Sequence, residues 1–165
     1  LYQSWFVACR RTRRTAEALT HLQDRFKRFG PRSERPALTL AWAFREMEQP
    51  SQARAVLQEA MKLRAEDGYL VLRAATLLAN LGENAEADQL LAAAKSKVRE
   101  ADWLRAAAEI AENRMDSAAP LGHVREILVL EPLALDAHGG VARAKARLES
   151  QAAALERIAN VAEQK

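Results

Sequence analysis

The stretch L-G-E-N-A-E-A-D-Q-L-L-A-A-A, Leu81 to Ala94, reads as a complete joint between two helices. Leu81 and Gly82 close one apolar-periodic segment, and Glu83 and Asn84 turn the chain. Ala87, Leu91 and Ala94 then mark one face of the next helix at i, i+4 and i+7. The small residue opening that second helix recurs, as Ala18, Ala53, Ala87, Pro120 and Ala154, at intervals of 35, 34, 33 and 34 residues. Spacing this regular is the signature of stacked helical units, each too small to bury its apolar face alone.

Composition agrees. The 165 residues include only five prolines and six glycines, 28% are charged, and Ala and Leu carry most of the apolar content. Those are helix formers, and no alternation of apolar and polar residues reaches strand length. An all-α fold follows, elongated by its repeats into one domain over residues 1–165, with approximate units at 1–33, 34–67, 68–100, 101–134 and 135–165. The chain starts at Leu1 without Met and ends at Lys165 inside a helical pattern, so a fragment of a longer protein is expected. The lone Cys9 has no internal disulfide partner, and no apolar run approaches the ~20 residues of a spanning helix. A soluble protein is expected, its compartment, cytoplasmic or periplasmic, unread.

Charge is uneven. Nine basic and three acidic residues fall between Leu1 and Arg35, a net +6, while the rest of the chain carries −3. The pI of 9.3 is therefore a property of the first unit.

Along the chain, Trp5, Phe6 and Cys9 share a helical face before the basic turn Thr12 to Arg14. Thr15 is positioned to cap the next helix, whose inner face is Ala18, Leu22 and Phe26, and Phe29-Gly30-Pro31 closes it with Gly30 expected in a left-handed conformation. Pro36 suits the first turn of a helix carrying Leu40, Ala41 and Phe44, and Pro50-Ser51 opens its partner with Ala53, Leu57, Ala60 and Leu63 inside. Leu72, Ala75 and Leu78 lead into the joint at Gly82. Trp103, Leu104, Ala107, Ala108 and Ala111 start a fourth hairpin, whose partner helix would carry Val124, Ile127, Leu128 and Leu130. Asp136 to Arg147 and Ser150 onward would form the fifth, the Gly139-Gly140 pair weakening its first helix.

These features together make the chain resemble the tetratricopeptide repeat family. The residues that carry the resemblance are Ala53/Leu57/Ala60 with L-R-A at Leu63 to Ala65, L-G-E-N-A-E-A at Leu81 to Ala87 with Leu91/Ala94, and L-E-P at Leu130 to Pro132. It covers the whole chain as about five repeats, the outer ones truncated, and is strongest in the second and third. The family's early aromatic is replaced by Val71 and Leu104, and the fourth joint lacks glycine. Longer HEAT or armadillo units, glycine-richer Sel1-like repeats and RNA-reading pentatricopeptide repeats fit less well.

The resemblance implies a right-handed superhelix whose first helices line a concave groove for a peptide or protein, a non-catalytic scaffold or adaptor. In register, that groove would present Val7, Arg10 and Arg11; Leu38, Trp42, Arg45 and Glu46; Tyr69, Leu72, Arg73, Thr76 and Asn80; Arg105, Glu109, Glu112 and Asn113; and Arg143 and Arg147. Trp42 and Tyr69 lead this set, because large side chains with a polar handle dominate binding energy. The competing reading has Trp42 packing on a neighbouring repeat. Of the family's carboxylate-clamp positions, occupied here by Gln3, Val7, Thr39, Tyr69 and Arg73, only Arg73 fits, although Arg45, Arg73 and Arg105 together could hold an acidic peptide. End-to-end self-association is a further expectation.

The basic first unit raises nucleic-acid or anionic-membrane binding, which confinement to one unit and scant aromatic interleaving disfavour. No catalytic residue, cofactor or metal is indicated. His21, His123 and His138 lie in different units, Cys9 has no His partner, and acidic pairs such as Glu66-Asp67 sit in turns where solvation is expected. A substrate-recruiting domain of a larger enzyme, such as a glycosyltransferase, is the alternative.

Overall fold

The computed structural model describes residues 1–114 and, beyond them, residues 123, 126, 127, 129–131, 146 and 149. Among the described residues the structure is helix and turn throughout. Helices α1 (Tyr2–Arg11), α2 (Thr15–Phe29), α3 (Arg35–Glu46), α4 (Pro50–Leu63), α5 (Gly68–Asn80), α6 (Asn84–Ala94) and α7 (Glu100–Asn113) follow in order. The chain divides into two compact units, Leu1–Val98 and Arg99–Lys165, at the joint between the third and fourth expected repeats.

In the first unit, α1/α2, α3/α4 and α5/α6 form hairpins. Each first helix packs on the next first helix, α1 on α3 and α3 on α5, and each second helix also packs on the next first helix, α2 on α3 and α4 on α5. That nearest-neighbour pattern is what a repeat needs, since a hairpin alone leaves half its apolar surface wet. The small residues make it close. Ala18, Ala53, Ala87, Ala60, Ala75 and Ala94 are all buried, letting backbones approach where Leu22, Leu57, Leu70 and Leu78 fill the remaining space.

The three hairpin turns share one geometry. The backbone N–H of Glu83 donates to the Leu78 carbonyl at 2.9 Å and that of Gly82 to Ala79 at 3.0 Å, with Gly82 at φ +84. Gln49 donates to Phe44 at 3.0 Å and Glu48 to Arg45 at 2.9 Å, with Glu48 at φ 57. Arg14 donates to Cys9 at 2.8 Å and Arg13 to Arg10 at 3.2 Å, with Arg13 at φ 59. Each is the paired C-terminal cap that satisfies orphan carbonyls by placing one residue in the left-handed region.

The joints between hairpins use side chains instead. Asp67 accepts from the Leu70 N–H at 3.0 Å and from Arg64 Nε at 2.9 Å, so it caps α5 while holding the end of α4. Lys97 Nζ reaches Glu66 at 3.0 Å, and Arg54 pairs with Glu86 across α4 and α6 at 2.7 Å.

Several local expectations are corrected. Thr15 is the first helical residue of α2, and Arg14 precedes it with no side-chain cap. Gly30 is right-handed, at φ −54. A Cβ there would sit 2.6 Å from the Phe26 ring, so its smallness rather than its left-handed freedom is used. Leu63, expected inside, is the last residue of α4 and is 49% exposed. Leu91 is half-buried. The pair Glu66-Asp67 is engaged in ion pairs and a cap rather than only solvated. In the second unit Ile127 is buried and Leu130 is 47% exposed, while Val124, Leu128, the Gly139-Gly140 pair and the fifth hairpin lie outside the described residues, apart from residues 146 and 149.

Candidate functional site

The first helices of unit 1 keep one stripe open at equivalent positions. On α1 it holds Gln3, Ser4, Arg10 and Arg11, exposed, with half-buried Val7. On α3 Arg35 is exposed, and Leu38, Thr39, Trp42, Arg45 and Glu46 are half-buried. On α5 Tyr69, Arg73 and Asn80 are exposed and Leu77 is half-buried, at i, i+4, i+11 and i+8.

Two expected groove residues are not on this surface. Leu72 is 4% and Thr76 5% exposed. Helix α5 is packed by α3, α4 and α6 and buries eight residues, so its open stripe is narrower than the register implied. Thr76 tolerates burial because its hydroxyl donates to the Leu72 carbonyl at 3.3 Å.

Trp42 packs on the neighbouring repeat, as the competing reading expected. Its ring meets the edge of Phe6 with centroids 5.9 Å apart, tying α3 to α1, and the half-buried side chain still shows one side to solvent. Tyr69 is 46% exposed.

The arginines differ in how far they are already engaged. Arg10 Nη1 donates to the Glu46 carbonyl at 2.7 Å, satisfying a C-terminal carbonyl of α3 across the hairpin boundary. Arg45 pairs with the Glu46 carboxylate at 2.8 Å. Arg73 and Arg11 are exposed and, among the described residues, make no hydrogen bond or ion pair through their side chains.

In the second unit, Arg105 on α7 is held by Glu131 and lies 3.6 Å from Asp102. Glu109 and Asn113 are exposed and Glu112 is half-buried. Arg143 and Arg147 lie outside the described residues.

The basic first hairpin is also partly committed. Arg14 donates to Glu17 at 2.6 and 2.8 Å, and that hydrogen bond with the accompanying charge holds the Glu17 carboxyl below its ordinary range. Arg25 lies 4.1 Å over the Tyr2 ring, and His21 packs against Tyr2 and Trp5. Aromatics and cations thus meet here more than the sequence indicated, but the rings are spent on one another. Cys9 is buried, and no three His, Cys, Asp or Glu side chains gather as metal ligands among the described residues. No helix among them is long and apolar enough to cross a membrane.

The roles of Asp67, Gly68 and Glu48 are not apparent from sequence pattern. The one signal for them is the Asp-Gly pair at 67–68, which marks a turn and can cap the helix after it.

These hairpins define the class: an all-α helical repeat protein, stacked through buried alanines and left-handed caps. No family model matches the sequence, and no match is found among curated proteins. Among solved structures, that of "MamA RS-1 ArsTM double mutant" is similar in fold, with a TM-score of 0.57 at 16% identity over 98% of this chain and 91% of that one. MamA is a tetratricopeptide-like helical repeat protein. At that identity the likeness is one of fold.

Proposed function

We propose that this chain is a non-catalytic interaction module that holds a peptide or protein segment along the open stripe of its first helices, as a scaffold or adaptor of the tetratricopeptide type. The observation that carries the reading is the repetition of one face on α1, α3 and α5, presenting Trp42 and Tyr69 beside arginines on a rigid, close-packed frame. Binding energy concentrates on such side chains when the surface beneath them is preorganised. The repeat fold shared with MamA supports the same reading.

Panning a random peptide library against the whole chain tests this. Selected peptides should lose about tenfold or more in affinity on Tyr69→Ala, as expected for a binding anchor. Trp42→Ala should weaken binding too, but also unfolding resistance, since it empties the contact with Phe6. Tyr69→Ala is read beside circular dichroism of the same variant, and peptides that bind the folded variant as tightly as the parent would remove the stripe as the site.

A further inference from the structure

The stacked hairpins give the first unit two unlike edges. One holds the hairpin turns, tied where Arg10 donates to the Glu46 carbonyl. The other holds the joints between hairpins. There Arg64 lies 3.9 Å from Glu34, and Lys97 Nζ is 3.0 Å from Glu66 and 3.4 Å from the Ala65 carbonyl. Apart from Leu1, every large hydrophobic side chain exposed in this unit lies on the joint edge. Phe29 and Leu63 are the last residues of α2 and α4, and Tyr69 is the second of α5, where the edge meets the open stripe.

Charge follows the same division. Lys27, Arg28, Arg32 and Lys62 are exposed beside Phe29 and Leu63, and among the described residues none of the four has a carboxylate partner. The acids of this edge are compensated: Glu34 stands 3.9 Å from both Arg35 and Arg64, Glu66 faces Lys97, and Asp67 is held by Arg64. The helix dipole favours cations in a last turn, which accounts for Lys27, Arg28 and Lys62. It does not account for Arg32 in the joint, nor for leaving Phe29 and Leu63 wet. The turn edge is the contrast, for Arg11, Arg13 and Arg14 are exposed there without any exposed large hydrophobic.

Apolar side chains flanked by unpaired cations suit a surface that is negative at its face and hydrocarbon beneath. Beyond the interaction reading above, and independent of it, we propose that the joint edge is a peripheral docking surface for an anionic lipid membrane. Phe29 and Leu63 enter the boundary between headgroups and acyl chains, and Lys27, Arg28, Arg32 and Lys62 meet the lipid phosphates. The Arg28 guanidinium, 5.3 Å from the Phe29 ring centroid, stays at headgroup level as the ring sinks. A nucleic acid would use the cations but gain nothing from the aliphatic Leu63.

The test is sedimentation of the full chain with sucrose-loaded vesicles of phosphatidylcholine, with and without phosphatidylglycerol, beside an oligothymidylate. Binding to the anionic vesicles should be at least tenfold tighter than to the neutral ones and should weaken with added salt. Lys27→Gln with Arg32→Gln should cost about fivefold for each cation removed, and Leu63→Ser about tenfold. All three residues are exposed, so circular dichroism should be unchanged. Arg13→Gln, on the turn edge, should stay within about twofold of the parent. Peptides selected on the open stripe should bind the edge variants normally, which separates this proposal from that reading. Three results overturn it. Equal binding to both vesicles, or none to either, removes the lipid. Anionic-vesicle binding that the folded edge variants retain in full moves the contact off this edge. Tighter binding of oligothymidylate, lost in the double variant and kept in Leu63→Ser, makes the partner a nucleic acid instead.

Discussion

The Asp67 carboxylate is half-buried between two helices that it joins. Desolvation by itself raises the pKa of such a group, yet the hydrogen bonds from Arg64 and the Leu70 N–H and the Arg64 charge outweigh it and hold the carboxyl below its ordinary range. A depressed carboxylate contributes stability that is present above its unfolded value, about 3.9, and is lost as pH falls through the folded value. Asp67→Asn keeps a capping side chain and removes the charge, so its stability deficit at neutral pH should start to shrink near about pH 4 and vanish only once the pH is below the depressed folded value. Asp67→Ala also removes the cap and should be less stable than Asp67→Asn by about 1 kcal/mol. Urea denaturation across pH measures both, and a pH-independent gap between Asp67→Asn and the parent would show that the ion pair contributes nothing. The adjacent Gly68 is held by close approach, since a Cβ there would stand 2.5 Å from Lys97 Cβ and 2.7 Å from its carbonyl oxygen. Backbone cannot swing aside as a side-chain tip can, so Gly68→Ala should destabilise by about 1–3 kcal/mol.

Hairpin turns repeat the same cap with different residues at its left-handed position, Arg13, Glu48 and Gly82. An L-residue there is strained by roughly 1–2 kcal/mol, partly offset because glycine loses more freedom on folding. Glu48→Gly should therefore raise stability by about 0.5–1 kcal/mol. Gly82→Ala should lower it by about 1 kcal/mol even though nothing lies within 4 Å of the added carbon, the strain being in the backbone. Thermal melts of the two variants should move in opposite directions; a drop for Glu48→Gly would mean that its side chain holds the turn by other means. The exposed Leu63 and the narrow open stripe of α5 likewise follow from which neighbours a helix has, not from its own pattern.

Within the first unit, three hairpins are each locked to the next through first-to-first and second-to-first packing. The fragment Leu1–Val98 should accordingly fold alone. Its circular dichroism should be helical, and its melt cooperative with an enthalpy of roughly 0.7 kcal/mol per residue. A broad, non-cooperative melt would show that the unit needs the rest of the chain. Because interactions in a repeat run mainly between neighbours, the effect of Gly82→Ala should be retained in that fragment nearly unchanged.

Much of this was legible in the amino acids. The period from Ala18 to Ala53 to Ala87, the prolines opening α3 and α4, and the joint at Leu81 to Ala94 come from rules that act within one or two helical turns, and those residues sit where the rules place them apart from Leu91, which is half-buried. The left-handed conformation, expected at Gly30, is adopted at Gly82 instead, and Arg13 and Glu48 adopt it without the glycine that advertises it. The candidate stripe divided differently. Its helices were found from the pattern, but Leu72 and Thr76 proved covered, and the engagement of Arg10, Arg45 and Arg105 with Glu46 and Glu131 sets them apart from Arg73. Arg10 and Glu46 stand 36 residues apart and Arg105 and Glu131 stand 26 apart. Helix periodicity determines which face a residue occupies, while burial and charge pairing on that face depend on partners brought near by the packing of one hairpin on the next.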